Sequence, residues 1–284
     1  MYTMLIEPAE LASHTHDPDW VVLDCRFDLA RPAWGEGEYA LSHVPNALYA
    51  HLDRDLSSPV APTSGRHPLP SREAFSASLG RWGVDATVQV VAYDQSNCAY
   101  ASRLWWLTRW AGHRRVAVLN GGFAAWQQAG LPVSKQPSVR EPRHFSPSHE
   151  PAEFVTTAEV VEIQTAGLLR AGERALVDAR AADRFAGQNE TLDPVAGHIP
   201  GASNHPFMRN LDARGRFLPA ATLRAQWLET LRGQEPAKAI AMCGSGVTAC
   251  HNLLALEVAG LPGAQLYAGS WSEWIRDAAR PVER

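Results

Sequence analysis

Five landmarks run in one order through the first half of the chain and return in that order in the second. The first set is "VVLDCR", "LSHVPNAL", "VQVVAYDQSNCAYAS", "VAVLNGGFAAW" and "AGLPV". The second is "ALVDAR", "AGHIPGAS", "KAIAMCGSGVTAC", "AQLYAGSWSEW" and "DAARPV". The spacings Asp24 to Asp178, His43 to His198 and Asp94 to Cys243 differ by only a few residues. Chance seldom preserves five landmarks in this way, so the chain reads as a duplication. The period is far too long for a solenoid, and 284 residues suit two domains of ordinary size. The expected domains are 1–135 and 150–284. The stretch "VSKQPSVREPRHFSPSHEPAEF", residues 133–154, is rich in Pro, Ser and charge and lacks an apolar period, as a linker does.

Each copy alternates strand and helix. "WVVLD", "VQVVAY" and "VAVLN" in the first copy, and "ALVDA", "AIAMC" and "AQLYAG" in the second, are short apolar runs of the kind buried on both faces of a parallel sheet. Helical stretches such as "CAYASRLWWLTRWAG" and "TACHNLLALEVAG" lie between them. The expected fold class is α/β, with a parallel sheet flanked by helices formed twice. Trp105, Trp106, Trp271 and Trp274 recur at helix-like spacing and read as core.

Composition removes several function classes. A net charge of −4 without a basic stripe excludes a nucleic-acid surface, and no apolar run is long enough to span a bilayer. The N-terminal residues lack the pattern of a cleaved leader. Four cysteines, Cys25, Cys98, Cys243 and Cys250, are too few in so long a chain for a disulfide framework. They fit a reducing, cytoplasmic setting.

The chemistry concentrates in "CGSGVTAC", Cys243 to Cys250. Cys243 is expected to end a strand, with a helix beginning at Thr248 or Ala249. Sites in parallel sheets form beyond the carboxyl ends of strands. Gly244 and Gly246 can turn backbone N–H groups inward, and Val247 and Thr248 bring the helix N-terminus to the same point. Such a cradle favours a thiolate, the reactive form of cysteine, and can hold a persulfide or a bound anion. Three other readings compete. Cys243 as an inert core thiol leaves the flanking glycines without a purpose. A nucleotide phosphate loop would need G-x-x-x-x-G-K-[ST], which is absent. A metal site from Cys243, Cys250 and His251 has no C-x-x-C pair to build on. Cys25, Cys98 and Cys250 read as structural thiols, and no metal or cofactor is implied.

Together, "CGSGVTAC", "VDARAADRFAG", "AGHIPGASNHPF", "LSHVPNAL", "SRLWWLTRWAGH" and "LNGGFAAWQQAGLP" resemble the tandem-domain sulfurtransferases of the rhodanese superfamily along the whole chain. The resemblance implies two rhodanese-like domains, the second catalytic through Cys243. Asp94 stands at the matching first-copy position, which makes that copy inactive. Cys243 would take a sulfane sulfur from a donor, hold it as a persulfide and pass it to an acceptor such as thioredoxin, a small thiol or cyanide. Phosphatases of the superfamily carry C-x5-R, but the sixth residue after Cys243 is Ala249, not the arginine that clamps phosphate.

Family members that use thiosulfate carry cations directly after the cysteine, whereas "CGSGVT" is similar to members that use 3-mercaptopyruvate. Thiosulfate is a dianion that leaves sulfite behind, so fixed charge suits it. Mercaptopyruvate needs one cation for its carboxylate and a donor for its carbonyl oxygen. Gly244 and Ser245 bring no charge, but Ser245 brings a hydroxyl. The resemblance assigns the carboxylate to Arg184, since guanidinium holds carboxylate bidentately; a surface salt bridge is the structural alternative. A second arginine usually precedes "GHIPG". Here "NETLDPVAGHIPG" has none, with Leu192 near the expected place. The resemblance further implies a relay of Ser245, His67 in "GRHPLP" and Asp53 in "AHLDRD", with Asp55 as alternative: Ser245 faces the carbonyl, His67 moves the proton and Asp53 orients His67. Arg180, His43 and His198 recur as part of the repeat and read as structural. Two other functions stay open: a thiosulfate sulfurtransferase, and a non-catalytic rhodanese-like module that binds a partner or senses redox state.

Overall fold

A computed structural model describes residues 1–147 and 154–284; positions 148–153, the end of the expected linker and the start of the expected second domain, lie outside the described residues. The chain divides into two units. The first comprises Met1–Ser58, Leu69–Pro151 and Asp212–Phe217; the second comprises Pro59–Pro68, Ala152–Leu211 and Leu218–Arg284.

The first unit contains strands β1 (Leu5–Ile6), β2 (Trp20–Asp24), β3 (Leu48–Tyr49), β4 (Gln89–Tyr93) and β5 (Val116–Leu119). Its helices are α1 (Pro8–Ala12), α2 (Trp34–Leu41), α3 (Leu52–Asp55), α4 (Arg72–Arg81), α5 (Ala99–Trp110) and α6 (Gly122–Gln128). The second unit contains strands β6 (Phe154–Val155), β7 (Ala175–Asp178), β8 (Ser203–Asn204), β9 (Ala239–Met242) and β10 (Gln265–Tyr267). Helices α7 (Thr157–Thr165), α8 (Ala182–Phe185), α9 (Ala220–Leu231), α10 (Thr248–Val258) and α11 (Ser270–Trp274) accompany them.

Both sheets are parallel throughout, in the orders β1-β5-β4-β2-β3 and β6-β10-β9-β7-β8. Counted within each copy, these are the same order, which is the structural signature of the repeat. The central strands β4, β5 and β9 are buried at every residue, as their unbroken apolar runs require. All four tryptophans expected in the core are at most 3% exposed.

Register aligns the two copies residue by residue. Asp24 pairs with Tyr93 across β2 and β4, and Asp178 pairs with Met242 across β7 and β9. The next residues along the chain are therefore Asp94 and Cys243, at equivalent points beyond the carboxyl ends of equivalent strands. Arg26 grips Asp24 and lies 4.4 Å from the Phe123 ring centroid; Arg180 grips Asp178 and lies 4.8 Å from that of Trp271. Both arginines are 3% exposed, in keeping with a structural role. His43 exchanges backbone hydrogen bonds with Ser134, and His198 does so with Glu283. Their rings stack on Tyr39 and Phe185.

A buried polar cluster supports α10. The ring nitrogens of His205 lie 2.8 Å from Thr230 Oγ1 and 3.1 Å from Asn210 Oδ1. Trp227 Nε1–H donates to Asn210 Oδ1 at 3.1 Å, Asn210 Nδ2 donates to Asn252 Oδ1 at 2.8 Å, and Asn252 Nδ2 donates to the His205 carbonyl at 3.0 Å. Burial lowers the His205 pKa from 6.5 to about 4. An imidazole held neutral stabilises the fold above its unfolded pKa, and that contribution is lost as pH falls through the window down to about 4. The shift is worth roughly 3 kcal/mol. His205→Asn is therefore expected to lower the melting temperature near neutral pH, with the gap to wild type narrowing as pH drops towards 4. Thermal unfolding across that range checks this, and a gap independent of pH would contradict it.

Candidate active site

Cys243 follows β9 directly and is 2% exposed. Its Sγ receives the backbone N–H of Ser245 at 3.4 Å and of Gly246 at 3.1 Å. This is the inward-turned loop expected from the glycines. Gly246 has φ +78°, and a side chain there would collide with the Ala268 carbonyl oxygen, so the turn requires glycine on two counts. Val247 stands at the N-cap of α10, where its own side chain makes no capping hydrogen bond, and Thr248 is the first residue of the helix. The positive end of the helix dipole thus adjoins the loop.

The start of α11 fixes the rest of the loop. Cys243 N–H donates to Ser270 Oγ at 3.0 Å, Trp271 N–H donates to the Cys243 carbonyl at 3.0 Å, and Ser272 N–H donates to the Gly244 carbonyl at 2.9 Å. Cys250 Sγ donates to the Gly246 carbonyl at 3.3 Å and is fully buried, while His251 Nδ1 lies 3.3 Å from Asn210 Nδ2. All four cysteines are free thiols. Burial pushes the Cys25 and Cys98 thiols well up, away from reactivity.

The first copy supplies an internal comparison. Asp94 fills its own loop: Oδ1 accepts from the amides of Ser96 (3.2 Å) and Cys98 (2.9 Å), and Oδ2 from those of Tyr100 (2.9 Å) and Ala101 (3.3 Å). Burial raises its pKa against the pull of these four amides. The equivalent loop of the first copy thus closes on the chain's own carboxyl group.

Ser245 Oγ lies 2.7 Å from His67 Nδ1, and both residues are 5% exposed. His67 belongs to the short segment Pro59–Pro68 that groups with the second unit. That segment is tied down by main-chain contacts. The Ser64 carbonyl accepts from Arg276 Nε at 3.0 Å, Gly65 N–H donates to Glu273 Oε2 at 3.2 Å, and Arg66 N–H donates to Ser272 Oγ at 3.0 Å. Asp53 is an exposed residue of α3 in the first unit, its amide donating to His51 Nδ1 at 3.1 Å. Asp55, the alternative, accepts from His51 N–H at 2.9 Å and from Arg81 Nη2 at 3.2 Å.

Arg184, on α8, engages Glu190 with Nε and Nη2 at 2.8–3.2 Å, and its Nη2 lies 3.4 Å from Asp193 Oδ2. Arg66 Nη1 pairs with the other Asp193 oxygen. Burial raises the Asp193 pKa, and the charge of Glu190 adds to that against the pull of Arg66 and Arg184. Burial works the same way on Glu190, but hydrogen bonds from Arg184 and from the Leu192 and Asp193 amides outweigh it and lower its pKa. Leu192 is 47% exposed. Sequence reasoning missed Arg66, Glu190 and Asp193. Arg66 adjoins His67 in "GRHPLP", and both acids lie in the very interval searched for a second arginine.

Comparison with known proteins agrees with this architecture. The model of the rhodanese-like domain matches residues 7–129 and again 163–277. A probable 3-mercaptopyruvate sulfurtransferase of Pseudomonas aeruginosa is 46% identical over 281 residues, covering 98% of this chain and 97% of that one. A putative thiosulfate sulfurtransferase of Mycobacterium tuberculosis is 38% identical, covering 99% and 97%. Among solved structures, the 3-mercaptopyruvate sulfurtransferase of Leishmania major superposes with TM-score 0.81 at 31% identity, covering 96% of this chain and 74% of that one. SseA of Escherichia coli, described as a 3-mercaptopyruvate sulfotransferase of rhodanese fold, gives 0.80 at 30% identity, covering 95% and 100%. With one domain matched twice over most of its length, the chain belongs to the rhodanese-like family.

Proposed function

We propose that the chain is a sulfurtransferase that moves the sulfur of 3-mercaptopyruvate to a thiol or cyanide acceptor through a persulfide on Cys243. The observation that carries this reading is the Ser245–His67 hydrogen bond of 2.7 Å, two residues along from a thiol held by backbone amides. The 46% identical relative named as a probable 3-mercaptopyruvate sulfurtransferase supports the same donor.

The Cys243 thiolate attacks the donor sulfur. The carbon–sulfur bond breaks, its electron pair passes into an enolate of pyruvate, and charge builds on the carbonyl oxygen. Ser245 Oγ donates to that oxygen while His67 supplies the proton that converts enolate to pyruvate. The sulfur remains as Cys243–S–SH, in the cradle of the loop amides and the N-terminus of α10 from Val247 and Thr248. An acceptor thiolate, of a small thiol or a protein such as thioredoxin, or cyanide, then attacks the outer sulfur and releases the Cys243 thiolate. Arg184, beside Gly244, binds the donor carboxylate. The first copy, with Asp94 in its loop, is non-catalytic. Four thiols without a disulfide support a reducing, cytoplasmic setting. Among the described residues no helix is long and apolar enough to cross a membrane.

A second reading, a thiosulfate sulfurtransferase, is favoured by one observation: two guanidiniums, of Arg66 and Arg184, stand beside Gly244. Initial rates with each donor and cyanide as acceptor separate the two readings. The expected kcat/KM is higher for mercaptopyruvate, and Cys243→Ser is inactive with both donors because a hydroxyl is a far weaker nucleophile. A wild type that prefers thiosulfate would hand the site to the second reading.

The relay makes its own prediction. His67→Gln and Ser245→Ala should each lower kcat with mercaptopyruvate by about 10²–10³-fold, and the double variant should fall little further. Thiosulfate turnover should be largely spared, because sulfite leaves without needing a proton. Equal losses with both donors would mean that the hydrogen bond only holds the loop in shape.

A further inference from the structure

His67 lies on a stretch, Pro59–Pro68, that holds no strand or helix, yet its ring nitrogen stands 2.7 Å from Ser245 Oγ. An irregular segment keeps a side chain in place only where something rigid holds its backbone. Here the support is α11 and the residues just after it. The Ser64 carbonyl accepts from Arg276 Nε at 3.0 Å, Gly65 N–H donates to Glu273 Oε2 at 3.2 Å, and Arg66 N–H donates to Ser272 Oγ at 3.0 Å. The same turn of chain is fixed in the core by Trp271 and Trp274, both fully buried, whose indole N–H groups donate to the Val195 and Pro281 carbonyls at 2.8 and 2.9 Å. Gly65 lies flush against this support: a Cβ there would stand 2.7 Å from the Gly269 carbonyl oxygen and 2.9 Å from Ser272 Oγ.

Ser272 differs from the other two supports, because it also holds the nucleophile's loop. Its N–H donates to the Gly244 carbonyl at 2.9 Å. Its hydroxyl donates to the Gly269 carbonyl at 3.5 Å, which leaves the oxygen to accept from Arg66 N–H. The residue is 3% exposed, so little water competes for these bonds. A closed ring results. Ser272 bonds Gly244, Gly244 leads to Ser245, Ser245 bonds His67, His67 follows Arg66, and Arg66 bonds Ser272. The backbones that carry the two relay side chains are thus both located by one serine, each only one residue away from its bond to Ser272.

Resting on the Ser245–His67 relay of the mercaptopyruvate reading above, we propose that Ser272 is a positioning residue for sulfur transfer, acting through His67. Its hydroxyl fixes the backbone of Arg66 so that the imidazole of the next residue meets Ser245 at proton-transfer distance. The bonds that shape the nucleophile's loop do not need this hydroxyl: the link from Ser272 to Gly244 is main chain, as are the two amides on Cys243 Sγ. Removing the hydroxyl therefore loosens the relay and leaves the thiol in its cradle. The step that takes a proton from His67 suffers, and the step in which sulfite leaves does not.

The test is steady-state kinetics of wild type, Ser272→Ala, Gly65→Ala, His67→Gln and the Ser272→Ala/His67→Gln double variant, with mercaptopyruvate and with thiosulfate. Circular dichroism at the assay temperature gives the folded fraction to which each rate is referred. Ser272→Ala should lower kcat with mercaptopyruvate about tenfold with KM changed little, and should keep thiosulfate turnover within about twofold of wild type. Gly65→Ala, whose added carbon pushes the same stretch off α11, should repeat this selective loss. In the His67→Gln background, Ser272→Ala should cost less than about twofold, because the group it positions is already gone. Equal losses with both donors would show that Ser272 only holds the nucleophile's loop, and a tenfold loss retained in the His67→Gln background would show that it acts elsewhere; either overturns the assignment. A His67→Gln variant that loses both donors equally would defeat the relay reading instead, and Ser272 would then still be judged by whether its effect vanishes in the double variant.

Discussion

The site depends on a few main-chain hydrogen bonds that keep one thiol at the end of a buried strand. Two amides point at Cys243 Sγ, and two more, from Trp271 and Ser272, hold the Cys243 and Gly244 carbonyls. Backbone groups set in this way carry little freedom and need no reorganisation when charge appears on sulfur. Gly246 is what lets the chain turn tightly enough, because its φ of +78° and the adjacent Ala268 carbonyl admit no side chain. The polar cluster of His205, Asn210 and Asn252 then supports the helix that leaves the loop.

Duplication gives this arrangement a built-in contrast. Two sheets of identical strand order deliver Asp94 and Cys243 to the same position. In one copy a carboxylate satisfies four amides and the loop closes on itself. In the other a thiol accepts from the amides of Ser245 and Gly246, next to the start of α10. The paired structural devices Arg26–Asp24 and Arg180–Asp178, and the bridges at His43 and His198, belong to both copies and so to the scaffold.

What the sequence made legible followed from local chemistry. Buried parallel strands declare themselves as continuous apolar runs, and the glycines around Cys243 declare a loop that turns amides inward. The repeat itself separated scaffold from site, since His198 and Arg180 have counterparts in the first copy and Cys243 does not. The miss at Arg66 has a physical cause. Its place beside Gly244 is set by Ser272 and Asp193, each more than a hundred residues away along the chain, and no periodicity records such contacts. Asp193 and Glu190 carry no signal within "NETLDPVAGHIPG" itself, because Arg66 and Arg184, with which they pair, come from outside that interval.

The most direct test of sulfur transfer through Cys243 is a peptide mass measurement after exposure of the protein to 3-mercaptopyruvate without an acceptor. The peptide containing Cys243 should gain the mass of one sulfur atom, lose it again on addition of cyanide or a thiol, and show no gain in Cys243→Ser. Pyruvate released with no sulfur on that peptide, or sulfur found instead on Cys25, Cys98 or Cys250, would contradict it.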